Sequence, residues 1–204
     1  MRAILVRHGE SEGNQQGIIQ GRLESQLTAR GLRQSFALAT ALADFSVAHI
    51  YASPARRAQG TASVLARELR SLITVDERLQ ERDFGLLQGM KATEAQKQHP
   101  ELFDALLSGD PQRAISSGEG LDNVSHRLFS CLKELNKRHH NDTVIMVSHG
   151  HALEVAIWQL KDALITDDLR KYGHQNCSYS IMNIESDCIE LVKWGIATHL
   201  QNIR

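Results

Sequence analysis

Ala3-Ile4-Leu5-Val6-Arg7-His8-Gly9-Glu10-Ser11 near the amino terminus and Val144-Ile145-Met146-Val147-Ser148-His149-Gly150-His151 late in the chain share one pattern. Each opens with an apolar run too short for a helix and stops at a His-Gly. Parallel strands buried on both faces have this pattern. In open α/β sheets, ligands bind just beyond the carboxyl ends of the strands. The pattern therefore brings two histidines and an arginine to one sheet edge, a set suited to an anion, with phosphate the first candidate.

Around these two runs, strand and helix patterns alternate, which argues an α/β fold. Residues 8–27 form a polar, glycine-containing connection, long enough to suggest function. Thr28 is a plausible N-cap for a helix carrying Leu32, Phe36, Ala39 and Ala43 at helical spacing. A second strand, 49–52, ends at Ser53-Pro54, with Pro54 expected in the first turn of a helix near 54–70. A short strand follows at 73–75. Glycines and prolines then break the pattern between 77 and 120, and a small cap over the strand ends is expected at about 86–120. Leu121, Val124, Leu128, Leu132 and Leu135 mark one face of a helix. The second His-Gly strand, a helix near 151–160, and two alternating runs near 177–184 and 189–196, expected at a sheet edge, complete one domain spanning 1–204.

With 23 basic and 24 acidic residues the net charge is −1, so no basic field points to nucleic acid or a membrane surface. An anion site must be built locally. Cys131, Cys177 and Cys188 are widely spaced and form no metal or disulfide pattern. The first apolar run is too short for a signal peptide or a membrane span, which makes the cytoplasm the expected location.

Imidazole attacks phosphorus when one ring nitrogen is free and the other is held. An arginine fork neutralises phosphate oxygens, and glycine lets the backbone approach. His8, Arg7 and Gly9 supply these groups. One of Arg56 and Arg57, after the second strand, fits the same pocket; alone, the pair would read as a solvated helix surface. Glu81 is placed to protonate a leaving oxygen and later activate water, or else to pair with Arg78 or Arg82. His149 and His151 could share a metal with His8, but no carboxylate sits at companion spacing and the arginines would repel a cation, so no metal or other cofactor is expected. The other seven histidines, 49, 99, 126, 139, 140, 174 and 199, read as solvated.

Arg7-His8-Gly9-Glu10-Ser11, Ser53-Pro54-x-x-Arg57-Ala58, Glu81 before Phe84-Gly85 and Ser148-His149-Gly150, taken in order, resemble the histidine phosphatase superfamily, and more narrowly its phosphoglycerate mutase-like branch. The resemblance covers nearly the whole chain and extends to Gln20-Gly21, Leu27-Thr28-x-x-Gly31, Gly118-Glu119 and Asn176-Cys177-Ser178. It implies a three-layer sandwich with a mostly parallel sheet flanked by helices. It also implies that His8 is the phosphorylated nucleophile, with Arg7, Arg57 and His149 completing the phosphate pocket. Asn14 matches a donor to phosphate, Glu81 the general acid and base, and Gln20, Gly21 and Gly150 positions beside the substrate.

The chain departs from the mutases of this branch. Gln20 stands for their threonine, Phe84 for their tyrosine and His151 for their asparagine, and the cap carries Arg113 alone where they have an arginine pair. Fewer cap cations favour hydrolysis of a small phosphorylated metabolite over a mutase that retains a bisphosphorylated intermediate. A non-catalytic phospho-ligand module is disfavoured, because His8, Arg57, Glu81 and His149 are all present. His151 is expected at the pocket rim, where its protonation would tie substrate affinity to pH.

Overall fold

The computed structural model describes residues 1–113, 115–161, 168–186 and 188–203. One six-stranded sheet runs through it in the order β3 (Ile73–Val75), β2 (Val47–Ala52), β4 (Thr143–Ser148), β1 (Arg2–Arg7), β5 (Tyr179–Glu185), β6 (Cys188–Ile196). The first four strands in that order are parallel, and β5 and β6 add antiparallel edges. The expected mostly parallel sheet is thus extended by the two alternating carboxyl-terminal runs.

Alternation along β1 builds the three layers. Ala3 and Leu5 join Val144 and Met146 against α6 (Leu121–Arg138) and α7 (Gly150–Leu160). Ile4 and Val6 join Ile145 and Val147 against α2 (Ala29–Ala41) and α3 (Arg56–Leu69), while the short α1 (Glu12–Gln15) lies in the connection between β1 and α2. A strand buried on both faces can be apolar throughout, which explains the two runs that stop at His-Gly. On α6, the five expected apolar positions are all buried.

Two helices differ from expectation. In α2 the buried face is Gly31, Gln34, Ser35, Leu38 and Ala39, while Leu32 and Phe36 stay 43% and 41% exposed and Ala43 is exposed beyond the helix. The cause is polar: Gln34 Oε1 accepts the Glu10 N–H at 2.8 Å, and Thr28 Oγ1 caps the helix by accepting the Gly31 N–H at 3.0 Å. The inward face is thus specified by hydrogen bonds to the loop after β1, which apolar spacing cannot register. In α3 the N-cap is Ala55, so Pro54 lies just outside the helix rather than in its first turn.

Residues 85–120 carry a 3-10 turn, α4 (Ala92–Gln98) and α5 (Pro100–Leu107). Their apolar side chains form a separate cluster, Leu87, Ala95, Ala105, Leu106 and Ile115, seated on Phe84. Among the described residues no helix is long and apolar enough to cross a membrane.

Candidate active site

The β1–β4 register pairs Arg7 with Ser148, so the next residues, His8 and His149, lie side by side. The His8 N–H donates to the Ser148 carbonyl at 3.0 Å, and the two imidazoles meet edge to face at 5.1 Å. His8 Nδ1 lies 2.7 Å from the Gly9 carbonyl. A carbonyl only accepts, so Nδ1 carries the proton and Nε2 keeps its lone pair. Burial, then Arg57 and Arg7, hold His8 well below the ordinary histidine range. The ring is therefore neutral at physiological pH.

Arg57, fully buried at the start of α3, rests on the Nε2 lone pair. Its Nε donates to His8 Nε2 at 3.3 Å, and its two terminal nitrogens donate to the Leu23 and Gly21 carbonyls at 2.7 Å each. A planar fork with three fixed partners is pre-aimed at an anion. Gly21 adopts a φ of +51°, and a Cβ there would strike the Gln88 amide at 2.0 Å. Arg7 reaches across to donate to the His174 carbonyl, while its guanidinium packs on Gly150, where a Cβ would lie 3.1 Å from the guanidinium carbon.

His149 Nε2 sits 2.7 Å from Ser53 Oγ, and its Nδ1 is buried without a partner among the described residues. Burial and then Arg57 pull its pKa well down, so it too is neutral. The hydrogen bond with Ser53 occupies Nε2, so Nδ1 is the ring nitrogen left for a further partner.

The oxygen of Asn14 is engaged, accepting from the Ser11 N–H and from Asn176 Nδ2 at 3.1 Å each. This fixes its amide with the NH2 as the end available to phosphate. Gln20 is held by the Ser11 hydroxyl, which donates to its Oε1 at 3.0 Å.

Glu81 is not a surface partner of Arg78, which pairs instead with Asp76 and Glu134. Buried at the amino end of α7, its Oε1 accepts the N–H groups of Arg82 and Ala152 at 2.9 Å each, and Oε2 accepts that of His151 at 3.2 Å. A carboxylate satisfies unpaired helix-terminal donors well. Oε2, with one long bond, is the oxygen better placed to exchange a proton.

A cavity of about 230 Å³ is lined by Arg7, His8, Asn14, Gln20, Arg57 and Glu81 among others, whereas His149 is fully buried beside His8 and is not part of its wall. His151 does not behave as a titrating rim group. Its Nε2 donates to the Leu106 carbonyl at 2.7 Å, its ring meets Phe84 edge to face, and burial followed by Arg82 pushes its pKa down to about 3. It stays neutral near pH 7, which removes the expected charge-linked affinity.

His174 also departs from the solvated reading: it is buried, bonded to Ser180 Oγ at 2.7 Å, and lowered to about 4 by burial and Arg7. His199 is half-buried, 2.9 Å from the Cys177 carbonyl. Sequence reasoning also left unassigned Asn176, whose Nδ2 donates to the His8 carbonyl at 3.0 Å, and Glu154, which lines the cavity. Asn176 lay within a quoted motif. Glu154 had a weaker signal, an acid four residues after Gly150 in an otherwise largely apolar helix.

Comparison with known proteins places this geometry. The family profile described as histidine phosphatase superfamily (branch 1) matches residues 3–197. The chain belongs to that superfamily. This histidine phosphatase is 34% identical over 203 residues to phosphoserine phosphatase 1 of Hydrogenobacter thermophilus, covering 98% of this chain and 94% of the relative. It is 32% identical over 198 residues to the probable phosphoglycerate mutase GpmB of Proteus mirabilis, covering 97% and 92%. Among solved structures, Bacillus stearothermophilus YhfR superposes with a TM-score of 0.89 at 26% identity, covering 98% of this chain and 99% of that one.

Proposed function

We propose that this chain is a metal-independent phosphatase that hydrolyses a small phosphate monoester through a phosphohistidine on His8. The observation that carries this reading is the His8 ring itself: Nδ1 is tied to a carbonyl, and Nε2 keeps an unprotonated lone pair held only by a long 3.3 Å contact from Arg57 Nε.

His8 Nε2 attacks phosphorus in line, the P–O ester bond breaks, and a proton held on Glu81 passes to the departing alcohol oxygen. Arg7, Arg57 and the Asn14 amide, with His149 beside His8, surround the equatorial oxygens, where fixed donors stabilise the developing charge. Water then attacks the phosphohistidine, Glu81 takes its proton, the N–P bond breaks, and inorganic phosphate leaves with His8 neutral again. The cations are the protein's own arginines, so no metal is required for charge neutralisation.

The cap supports hydrolysis over isomerisation. It contributes Leu106 and Leu107 to the cavity wall, and Arg113 instead neighbours Asp110 at 4.0 Å. A mutase needs cations there to retain a second anionic group.

The test is phosphate release from a monoester panel in the presence of a chelator, comparing wild type with His8→Ala. Sustained turnover, an acid-labile phosphoprotein and an inactive but folded His8→Ala are expected. Undiminished activity of His8→Ala would overturn the mechanism. Isomerisation of 3-phosphoglycerate with bisphosphoglycerate, without phosphate release, would replace the hydrolase by the mutase.

A further inference from the structure

The cavity holds a second carboxylate that the mechanism does not use. Glu154 lies on α7 four residues after Gly150 and three after His151, so helical spacing brings the three to one wall. It is half-buried, and among the described residues no hydrogen bond or ion pair engages its carboxylate, in contrast to the three N–H donors on Glu81. A partly buried carboxylate with no direct partner, only the more distant Arg7 and Arg170, is costly, and here it also repels the dianion that Arg7 is placed to bind.

Burial pushes the Glu154 carboxyl up to about 7, against the opposing pull of Arg7. The remainder of the wall is largely apolar: Ile18, Ile19, Phe84, Leu106 and Leu107. Arg170, also at the cavity, is already held by Asp168 through two contacts of 3.0 Å. Glu154 is thus the charged group most available to the end of the substrate that does not carry phosphate.

We propose that Glu154 receives a cationic group, an ammonium, on the alcohol portion of the substrate, making the preferred substrate an amine-bearing phosphate monoester. This rests on the phosphatase reading and adds a substrate class to it. The ammonium supplies the missing partner for Glu154 and offsets its repulsion of the phosphate.

The experiment compares phosphoethanolamine with ethyl phosphate, which differ by one ammonium. The wild-type ratio of kcat/KM is expected to favour phosphoethanolamine by about tenfold or more, to fall by about tenfold in Glu154→Gln, and to recover in part in Glu154→Asp. The wild-type ratio divided by that of Glu154→Gln should also rise between about pH 6 and pH 8 as Glu154 ionises, because each ester's phosphate ionisation is common to both enzymes and cancels. The groups facing Glu154 are Arg7, Glu81, Asp168 and Arg170, with His151 held neutral. A wild-type ratio near unity, or the same ratio in Glu154→Gln, overturns the proposal; the wild-type ratio decides even where the variant fails to fold. If neither these esters nor p-nitrophenyl phosphate releases phosphate, the phosphatase reading itself fails. Calorimetric affinities of the two esters for His8→Ala then decide the ammonium question alone, equal affinities overturning it.

Discussion

Gly31 lies outside the cavity, yet its replacement by alanine is expected to impair catalysis. It is the third residue of α2, packed on the loop that leaves β1. A Cβ built there would lie 2.1 Å from the Glu10 carbonyl oxygen and 2.9 Å from the Glu10 carbonyl carbon and nitrogen, all backbone atoms that cannot swing aside. Carbon–oxygen contacts settle at about 3.3–3.6 Å, so the loop must move on the order of 1 Å. Glu10 follows Gly9, whose carbonyl fixes the His8 tautomer, and Gly9 itself has no room: a Cβ there would strike the Gly31 oxygen at 2.6 Å.

A shift of about 1 Å at a reacting group costs about 10²-fold in rate. Overpacking costs about 1–3 kcal/mol, while alanine in place of glycine in a helix returns about 1 kcal/mol, for a net loss of roughly 0–2 kcal/mol. At about 2–4 °C per kcal/mol, Tm falls by no more than roughly 8 °C. Steady-state hydrolysis of p-nitrophenyl phosphate, with thermal melts alongside, makes the assay. Gly120→Ala is the control, because nothing lies within 4 Å of a Cβ there. A kcat/KM for Gly31→Ala within about threefold of wild type would refute the claim that this crossing positions the nucleophile.

Glu81→Gln should lower kcat by about 10²–10⁴-fold on alkyl phosphates, and much less on p-nitrophenyl phosphate, whose leaving group needs no proton; equal losses on both would remove Glu81 from the acid role. His151 and His174 are buried neutral, at about 3 and about 4, whereas the unfolded chain binds these protons near the ordinary histidine value of about 6.5. Their stabilisation is full above that value and is lost as pH falls through the interval below it. Tm should therefore drop on acidification from about pH 7 to pH 5, with a shallower slope in His174→Asn, and a flat profile would contradict the burial argument. Cys188 is exposed, while Cys131 and Cys177 are buried with thiols pushed up to about 12, so a native thiol titration should find one fast-reacting group and two released only on unfolding.

The sequence disclosed those parts of the molecule whose function is written in side-chain type. A strand buried on both faces must be apolar along its length, so the runs ending at His8 and His149 announced both the fold and the edge where the site lies. The α2 face was misread because it is held by Gly31, Gln34 and Ser35, whose inward orientation follows from backbone partners rather than from hydrophobicity. His174 escaped for a related reason: its carbonyl, not its ring, receives Arg7, and a carbonyl is common to every residue.

Glu154 belongs to a third kind. Its chemistry was visible, but an acid in an apolar helix has meaning only once the face it occupies is known. The start of α7 settles that face. Gly150 must pack on the Arg7 guanidinium, and Glu81 must accept the His151 and Ala152 N–H groups, so the rotation of the helix is fixed from its first turn. Residue 154, four positions on, then has to line the cavity. The phosphate motifs thereby determine where the substrate's other end is read. The identity of residue 154, with the apolar cap surface facing it, is left to decide which phosphate ester is accepted.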